Sequence, residues 1–276
     1  MNLARFTLKN DVVVITGGAG LLGVKHGEAI AEIGGIPVIV DMDNDRAKEA
    51  VKLLNQAYNC DAKAYSVDIT DEKGLTETHE KIKRDYGRSP YGLINNATID
   101  PKFDKNSEKI PKSRLEAFPL EQWKKELDVG LTGAFLCSKI FGTEMAKEGR
   151  GAILNISSDL GIIAPDQRIY RKEGLPDELQ NVKPVTYSVI KHGLIGLTKY
   201  LATYWAKDGV RCNAFAPGGV FNDHPEDFVQ RLTHLIPLGR MANKDEYKSA
   251  IQFLISDASS YMTGAVLIMD GGRSVW

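Results

Sequence analysis

The stretch TGGAGLLG, residues 16–23, decides the fold. It continues the apolar run VVVIT, so it lies where a strand passes into a helix, and four of its eight residues are glycines. Read from Gly18 through Gly20 to Gly23, it is G-x-G-x-x-G, the pattern of a dinucleotide-binding turn. Read from Thr16, it is T-G-x-x-x-x-x-G, a different phosphate-binding loop. In either case glycines let the backbone approach a pyrophosphate, and the helix N-terminus offers unpaired N–H groups, so we predict a phosphate site here.

Short β-rich runs alternate with longer helical patterns along the chain. The runs are VVVIT, IPVIV, AKAYSV, GLINN, AILNIS, VRCNAF and AVLIM, and the helical patterns cover residues 21–34, 43–56, 71–86, 119–147, 185–208 and 243–256. Runs that are apolar on both faces and joined by helices indicate a parallel sheet with helices on each side. We therefore predict an α/β fold, a Rossmann-type doubly wound sheet of about seven strands, with residues 1–276 forming one dinucleotide-binding domain.

Two polar, proline-containing segments interrupt this alternation, at residues 99–118 and 159–184. Both follow strands. In an open α/β sheet, ligands bind beyond the carboxyl ends of the strands. We therefore expect both segments to be substrate-side loops within one domain.

Composition excludes several classes of partner. The 276 residues are 43% hydrophobic and 26% charged, with a net charge of −1, which is ordinary for a globular protein and gives no basic surplus for nucleic acid or membrane surfaces. The N-terminus lacks the apolar core of a secretory signal and no run could span a bilayer, so we expect a cytoplasmic protein. The cysteines, Cys60, Cys137 and Cys212, match no metal or redox spacing and are interpreted as buried thiols. The five histidines show no ligand-like pairing, so no catalytic metal is expected.

An acidic residue ends the second predicted strand. Asp41, in VIVDMD, lies 18 residues after Gly23, where a carboxylate can accept hydrogen bonds from the adenosine ribose. The same carboxylate would repel the 2′-phosphate of NADP(H), and the glycine turn contains no Arg or Lys, so we predict NAD(H). A calcium loop at DMDND is excluded because Arg46 replaces its glycine and Lys52 its closing glutamate.

The stretch YSVIK places Tyr187 and Lys191 four residues apart on one face of a predicted helix. An ammonium group beside a phenol lowers the phenol pKa from about 10, so Tyr187 could exchange a proton with a substrate oxygen. Alone, the pair is equally compatible with a surface helix. Upstream, NISS ends the fifth predicted strand with Ser157 and Ser158, where a hydroxyl could hold the reacting oxygen or cap the next turn.

In this combination the sequence resembles the short-chain dehydrogenase/reductase family, in its single-domain branch, over nearly the whole chain. The matching elements are TGGAGLLG, VDI, NNA, NISS, YSVIK, NAFAPGGV and MDGG. The resemblance implies that Tyr187 is the general acid/base, that Lys191 lowers its pKa and holds the nicotinamide ribose, and that Ser158 positions the substrate. The cofactor-binding residues that it implies, with NAD as the cofactor, are Gly17, Gly18, Gly20, Leu22, Gly23, Asp41, Asp68, Ile69, Asn96, Ala97, Tyr187, Lys191 and Val220.

Two positions depart from the family pattern. Leu21 stands where the family usually has a glycine, which affects the path of the loop. Gly130, in LDVGLTGAF, stands where the family typically has an asparagine that helps a water link the lysine to solvent. We expect Gly130→Asn to fold, because the two residues are tolerated about equally in helices, and to change the rate modestly.

The long segment between Ser158 and Tyr187 bears on the substrate, because it contains Arg168, Arg171 and Lys172. It is compatible with a solvated loop, with an oligomer contact, or with a wall around a hydroxylated, phosphorylated or nucleotide-linked substrate. End to end, the chain also resembles bacterial oxidoreductases of flagellin glycosylation and legionaminic-acid-type sugar pathways, which implies a sugar-like substrate.

Two other functions remain open: a 3-oxoacyl-carrier reductase, which a basic patch and NADPH preference would favour, and a non-catalytic NAD(H) sensor, which the absent asparagine would favour. A homodimer or homotetramer is predicted from surplus apolar residues on two helices. These residues are Phe135, Leu136, Ile140, Leu194, Leu197, Leu201 and Trp205.

Overall fold

The computed structural model describes residues 3–99 and 110–276 and contains one seven-stranded parallel sheet. The strands are β1 (Val12–Thr16), β2 (Ile36–Asp41), β3 (Lys63–Ser66), β4 (Gly92–Asn95), β5 (Gly151–Ile156), β6 (Val210–Pro217) and β7 (Val266–Met269). Their order across the sheet is β3-β2-β1-β4-β5-β6-β7. The predicted Rossmann-type fold is confirmed. The order reverses between β1 and β4, which is the switch point where such sheets bind ligands.

Eight α-helices connect the strands: α1 (Leu21–Glu32), α2 (Asn44–Tyr58), α3 (Glu72–Tyr86), α4 (Leu120–Leu127), α5 (Gly133–Lys147), α6 (Val185–Tyr204), α7 (Glu226–Thr233) and α8 (Lys248–Ile255), counted over the described ranges. The helix predicted over 119–147 is α4 and α5 joined by a π-helical turn at Asp128–Thr132. α7 was not predicted. The predicted helix over 243–256 begins five residues later than expected, at Lys248.

The sheet separates two apolar layers, because alternate residues of each strand point to opposite faces. Val13 and Ile15 of β1 pack in the layer formed with α1, α2 and α8. Val12 and Val14 pack in the layer formed with α3, α5 and α6. Each strand of the centre is therefore buried on both sides, as its unbroken apolar run predicted.

Most of the apolar residues assigned to an oligomer contact belong instead to this core. Leu136, Leu194, Leu201 and Trp205 are buried within the subunit, and Ile140 and Leu197 are half-buried. Phe135 alone among the seven is exposed. The prediction assumed that each helix buries one face within the subunit, whereas α6 packs both on the sheet and against α4.

The cysteine prediction holds for two of the three residues. Cys137 and Cys212 are buried, whereas Cys60 is half-buried, and all three are free thiols. Among the described residues, no helix combines the length and apolar character that crossing a membrane requires. In the same ranges no cluster of three His, Cys, Asp or Glu side chains is arranged to hold a metal ion. Residues 100–109 of the predicted loop at 99–118 lie outside the described part of the chain.

Candidate active site

A cleft of about 1140 Å³ lies at the carboxyl ends of the strands. Its wall includes nearly all of the predicted site residues: Gly17, Gly20, Leu22, Asp41, Asp68, Ile69, Asn96, Ala97, Ser158, Tyr187, Lys191 and Val220. Gly18 and Gly23 lie behind this wall, inside the glycine turn. Residues that lie far apart in the chain, from Gly17 to Val220, thus share one cavity, because the parallel strands all end at this edge.

The glycine turn is shaped by its first and last glycines. Gly17 has φ of +60°, a left-handed conformation that side chains rarely adopt. A Cβ on Gly23 would collide with the Gly17 carbonyl and lie 2.7 Å from the Gly18 Cα. Helix α1 begins at Leu21, directly after Gly20, which has extended backbone and no capping side chain. The first-turn N–H groups of α1 therefore point toward the cleft without a side-chain partner at the cap, as a phosphate cradle requires.

Thr16 braces the turn against β4. Its hydroxyl donates to the Ile94 carbonyl at 3.4 Å and accepts from the backbone N–H groups of Asn96 and Ala97, both at 3.1 Å. The Asn96 side-chain amide donates to the carbonyls of Thr16 and Gly17, both at 3.0 Å. The NNA segment therefore holds the glycine turn in place, which its sequence position alone did not indicate.

Asp41 fastens the opposite side of the turn. Its carboxylate accepts from the backbone N–H of Ala19 at 3.1 Å and from that of Asp43 at 3.1 Å. Arg46 also lines the cleft and donates to the Ala19 carbonyl at 2.9 Å. Sequence reasoning missed this cation beside Asp41, because it searched for Arg or Lys only inside the glycine turn.

Ser158, Tyr187 and Lys191 meet at the other end of the cleft. The Lys191 ammonium is buried and donates to the Ile156 carbonyl at 2.9 Å. It lies 5.6 Å from the centroid of the Tyr187 ring, on the first turns of α6. The Ser157 hydroxyl donates to the Lys191 carbonyl at 2.8 Å, so this residue joins the end of β5 to α6. Ser158 and Tyr187 both lie in the cavity wall.

A second lysine lies against Tyr187. The Lys183 Nζ is 3.7 Å from the centroid of the Tyr187 ring, closer than Lys191. A cation over a phenol ring is attracted to its π face and favours the ionised phenol. The sequence did not single out Lys183, because this residue lies before the first residue of the helix, Val185, and Pro184 stands between them.

The segment 159–184 forms part of the substrate wall through Ile169, Tyr170 and Lys183. Ile169 packs with Leu232 of α7 in a small apolar cluster, and Tyr170 lies 5.7 Å from the ring of Phe228. The segment therefore lines the cleft, and its role as a substrate-side loop stays a prediction.

The three cations that the sequence analysis singled out in this segment do not line the cleft. Arg168 pairs with Asp166 and Arg171 with Asp177, and both arginines are exposed. Lys172 is exposed too, and none of the three lines the cleft. The suggestion that they bind a phosphorylated substrate is not supported, because the segment turns these side chains to solvent.

Gly130 lies in the π-helical turn, where Asp128 and Val129 reach the cleft. The Gly133 N–H donates to the Asp128 carbonyl, a five-residue step that marks the π geometry. Such turns are frequent at functional sites. A Cβ on Gly130 would lie 2.8 Å from the Ile190 Cγ2, so Ile190 of α6 fills the space of the absent side chain.

Comparison with known proteins places this site in a family. Residues 11–170 match the family model described as short chain dehydrogenase, and residues 178–274 match the model described as enoyl-(acyl carrier protein) reductase. Galactitol 2-dehydrogenase of Rhizobium johnstonii is 32% identical, over 99% of this chain and 98% of that protein. NAD-dependent glycerol dehydrogenase of Listeria innocua is 29% identical, over 98% and 96%.

Solved structures agree with this assignment. A putative NAD(P)-dependent gluconate 5-dehydrogenase from Beutenbergia cavernae, with bound NADP, superposes with a TM-score of 0.82 at 29% identity, over 99% of this chain and 100% of that one. The chain therefore belongs to the short-chain dehydrogenase family of oxidoreductases, which bind a nicotinamide cofactor.

Proposed function

We propose that the protein is an NAD(H)-dependent dehydrogenase that interconverts an alcohol and a carbonyl on a polyol or related sugar. The observation that carries the proposal is the single cleft that joins the glycine turn and Asp41 at one end to Ser158, Tyr187 and Lys191 at the other. A dinucleotide laid along it would bring its reactive ring beside the Tyr187 phenol.

The glycine turn fits the pyrophosphate of such a cofactor. Gly17 and Gly20 line the cleft without side chains, and the N-terminus of α1 faces the same space. A carboxylate has about four lone-pair sites, and the Asp41 carboxylate uses part of them to accept hydrogen bonds from two backbone N–H groups. The remainder can accept the ribose hydroxyls. Asp68, Ile69 and Val220 would line the adenine and carboxamide ends.

The preference for NAD(H) rests on charge. The Asp41 carboxylate disfavours a 2′-phosphate beside it, while Arg46 would attract one. Arg46 is tied to the Ala19 carbonyl at 2.9 Å, across the turn. We therefore assign the dominant effect to Asp41. Equal use of NADP(H) would contradict this assignment.

Tyr187 would carry the proton. With an alcohol substrate, the Tyr187 oxygen takes the hydroxyl proton while Ser158 holds the same substrate oxygen, and the reverse step returns it. When bound, the nicotinamide accepts or supplies the hydride at the neighbouring carbon. Lys183 and Lys191 favour the ionised phenol by charge.

The substrate end of the cleft suits a hydroxylated molecule. Its wall includes Tyr170, Lys183, Asn222 and His224, together with apolar side chains from α7. The named substrates of the relatives, galactitol and glycerol, are polyols. The resemblance to flagellin-glycosylation oxidoreductases would extend the class to nucleotide-linked sugars.

The experiment is a screen at the nicotinamide absorbance. The purified protein is given NAD or NADP with galactitol, mannitol, glycerol, gluconate and a nucleotide-linked sugar, and, in the reductive direction, a 3-oxoacyl thioester with NADPH. Turnover of a polyol or sugar with NAD supports the proposal. Turnover confined to the thioester would replace it with the carrier-reductase alternative.

A further inference from the structure

A buried ion pair lies beside Ser158. The Arg273 Nη1 donates to the Asp159 Oδ2 at 2.7 Å, and both residues are less than 8% exposed. Both also line the cleft. Burying two charges is costly unless their geometry and remaining hydrogen bonds are good, so an ion pair at this place calls for a role beyond packing.

The C-terminal turn delivers Arg273 to this place. The Asp270 carboxylate accepts from the backbone N–H groups of Gly272 and Ser274, at 2.9 and 2.8 Å. The Met269 carbonyl accepts from the Gly218 N–H at 2.8 Å, which joins the end of β7 to the loop after β6. The turn MDGGR therefore bends the chain back from the sheet edge, so that Arg273 reaches the residue that follows Ser158.

Asp159 connects this cation to Ser158. The Ser158 hydroxyl donates to the Asp159 Oδ1 at 2.7 Å and accepts from the Leu160 N–H at 3.2 Å. The same N–H donates to the Asp159 Oδ1 at 2.8 Å. A serine has one hydroxyl proton, and here it is directed to the carboxylate.

Ser158 must nevertheless donate a hydrogen bond to the substrate oxygen when negative charge develops on it. A bare buried carboxylate would hold the hydroxyl strongly, because charge-assisted hydrogen bonds are about twice as strong as neutral ones. Arg273 neutralises the carboxylate, so it weakens the competing acceptor while leaving it in place to orient the hydroxyl.

We propose that Asp159 and Arg273 are positioning residues that act through Ser158: Asp159 sets the direction of its hydroxyl, and Arg273 keeps that hydroxyl available to the substrate. The proposal rests on the proposed function, in which Ser158 holds the reacting oxygen. It gives the residue after the serine, and the arginine of the C-terminal turn, a role in the chemical step.

The test is a double-mutant cycle in kcat, measured with NAD and whichever of galactitol, mannitol or glycerol turns over fastest. Ser158→Ala should lower kcat by about 10²-fold, the scale of losing one oxyanion donor. Arg273→Met should lower kcat by roughly 10-fold to 10²-fold, the scale of a misplaced catalytic group. The combined variant should be within about threefold of the slower single variant, because both changes remove the same contribution.

Two further variants separate loss of the proposed role from loss of the folded structure. Arg273→Met leaves a buried charge unpaired and could unfold, whereas Asp159→Asn with Arg273→Met leaves none. That neutral pair should recover at least about fivefold of the kcat that Arg273→Met loses. The matched control is Arg150→Met, which breaks the bidentate pair with Asp11 at the opposite edge of the sheet and should leave kcat unchanged.

Three results would overturn the assignment. If the effects of Ser158→Ala and Arg273→Met multiply, Arg273 does not act through Ser158. If Arg273→Met raises KM alone, the guanidinium belongs to substrate binding. If Ser158→Ala leaves kcat unchanged, the proposed function itself fails, and that outcome is distinguished from the first two by the single variant.

Discussion

At the scale of single residues, Asp41 has two roles, and a substitution at this position removes both of them. It holds the glycine turn through the Ala19 N–H, and in the proposed function its charge would set the preference between the cofactors. Asp41→Ala should therefore weaken NAD binding and reduce the NAD-to-NADP ratio of kcat/KM by about tenfold, the factor that corresponds to 1.4 kcal/mol. The comparison needs both cofactors with one substrate.

Arg46 is the control for that experiment. It shares the cleft but carries the opposite charge, so Arg46→Ala should raise the NAD-to-NADP ratio. A ratio that moves in the same direction in both variants would mean that distortion of the turn, and not charge, sets the preference.

Gly130 shows where reasoning from the sequence was incomplete. Helix propensity alone allows asparagine there, but the Cβ would meet the Ile190 Cγ2 at 2.8 Å and its Cδ1 at 3.0 Å. We now expect Gly130→Asn to cost about 1–3 kcal/mol of stability by overpacking. Because Ile190 adjoins Lys191, kcat should fall as well.

Relief of the contact provides the control. In an Ile190→Ala background, Gly130→Asn should cost less stability than it does in wild type, measured by urea unfolding, because the crowded contact is absent there. Equal stability of Gly130→Asn and wild type would contradict the packing argument.

At the scale of elements, strands were predictable and some helix ends were not. The strands could be predicted because burial on both faces leaves an unbroken apolar run. The π-helical turn at Asp128–Thr132 leaves no such run, because it is only five residues long and lies within a continuous helical pattern. Helix α7, whose apolar side chains serve a small local cluster, likewise lacks a long periodic stripe.

Helix α1 carries a buried histidine beside the glycine turn. Burial lowers the pKa of His26 to about 4, an effect that a hydrogen bond with Asn96 partly offsets. Among the described residues its Nε2 has no hydrogen-bond partner. The folded protein therefore holds this imidazole neutral over a range in which the unfolded chain protonates it.

The sign of the pH effect follows from that shift. Because the folded pKa lies below the unfolded value of about 6.5, the stability is complete above pH 6.5 and is lost as the pH falls toward 4. Between pH 7.5 and 5.0, His26 should account for about 2 kcal/mol of the loss in unfolding free energy. Urea unfolding of wild type and His26→Leu at both pH values measures this contribution.

The variant should flatten the pH dependence only in part, because burial also lowers the pKa of His79. An identical loss in wild type and His26→Leu would show that His26 is not the group responsible.

At the scale of the whole molecule, the location of the site was predictable from the sequence. The orientation of the segment that lines its substrate end was not. Parallel strands end at one edge, so motifs that follow β1, β2, β4, β5 and β6 had to converge there. The orientation of segment 159–184 depends on its contact with α7, which lies some 60 residues later in the chain. No sequence pattern indicates that contact. Arg273 was missed for the same reason.

Assembly is the remaining property at this scale. The exposed apolar side chains on α5 and α6 include Phe135, Val189, Tyr200 and Tyr204, and the rings of Tyr200 and Tyr204 stack with centroids 5.6 Å apart. We expect a homodimer or homotetramer through this face, since large aromatic side chains are enriched at interfaces. Light scattering at micromolar concentration should show at least twice the mass of one chain.

Tyr200→Glu combined with Tyr204→Glu should reduce that mass, because it places two charges in the contact. The control is Leu53→Glu on α2, an exposed apolar residue away from this face. A wild-type monomer would contradict the prediction, and an equal loss of mass in the control would place the contact elsewhere.

The proposed proton transfer by Tyr187 is tested most directly by the turnover of Tyr187→Phe with NAD and the best polyol of the screen. Removing the hydroxyl from this ring, which lies close to both Lys183 and Lys191, should reduce kcat by about 10² to 10⁴-fold. The Kd for NAD, measured by fluorescence titration, should stay within about threefold of the wild-type value. Retained turnover in Tyr187→Phe would contradict the account, and so would a wild type that binds NAD but turns over no alcohol, as the sensor alternative expects.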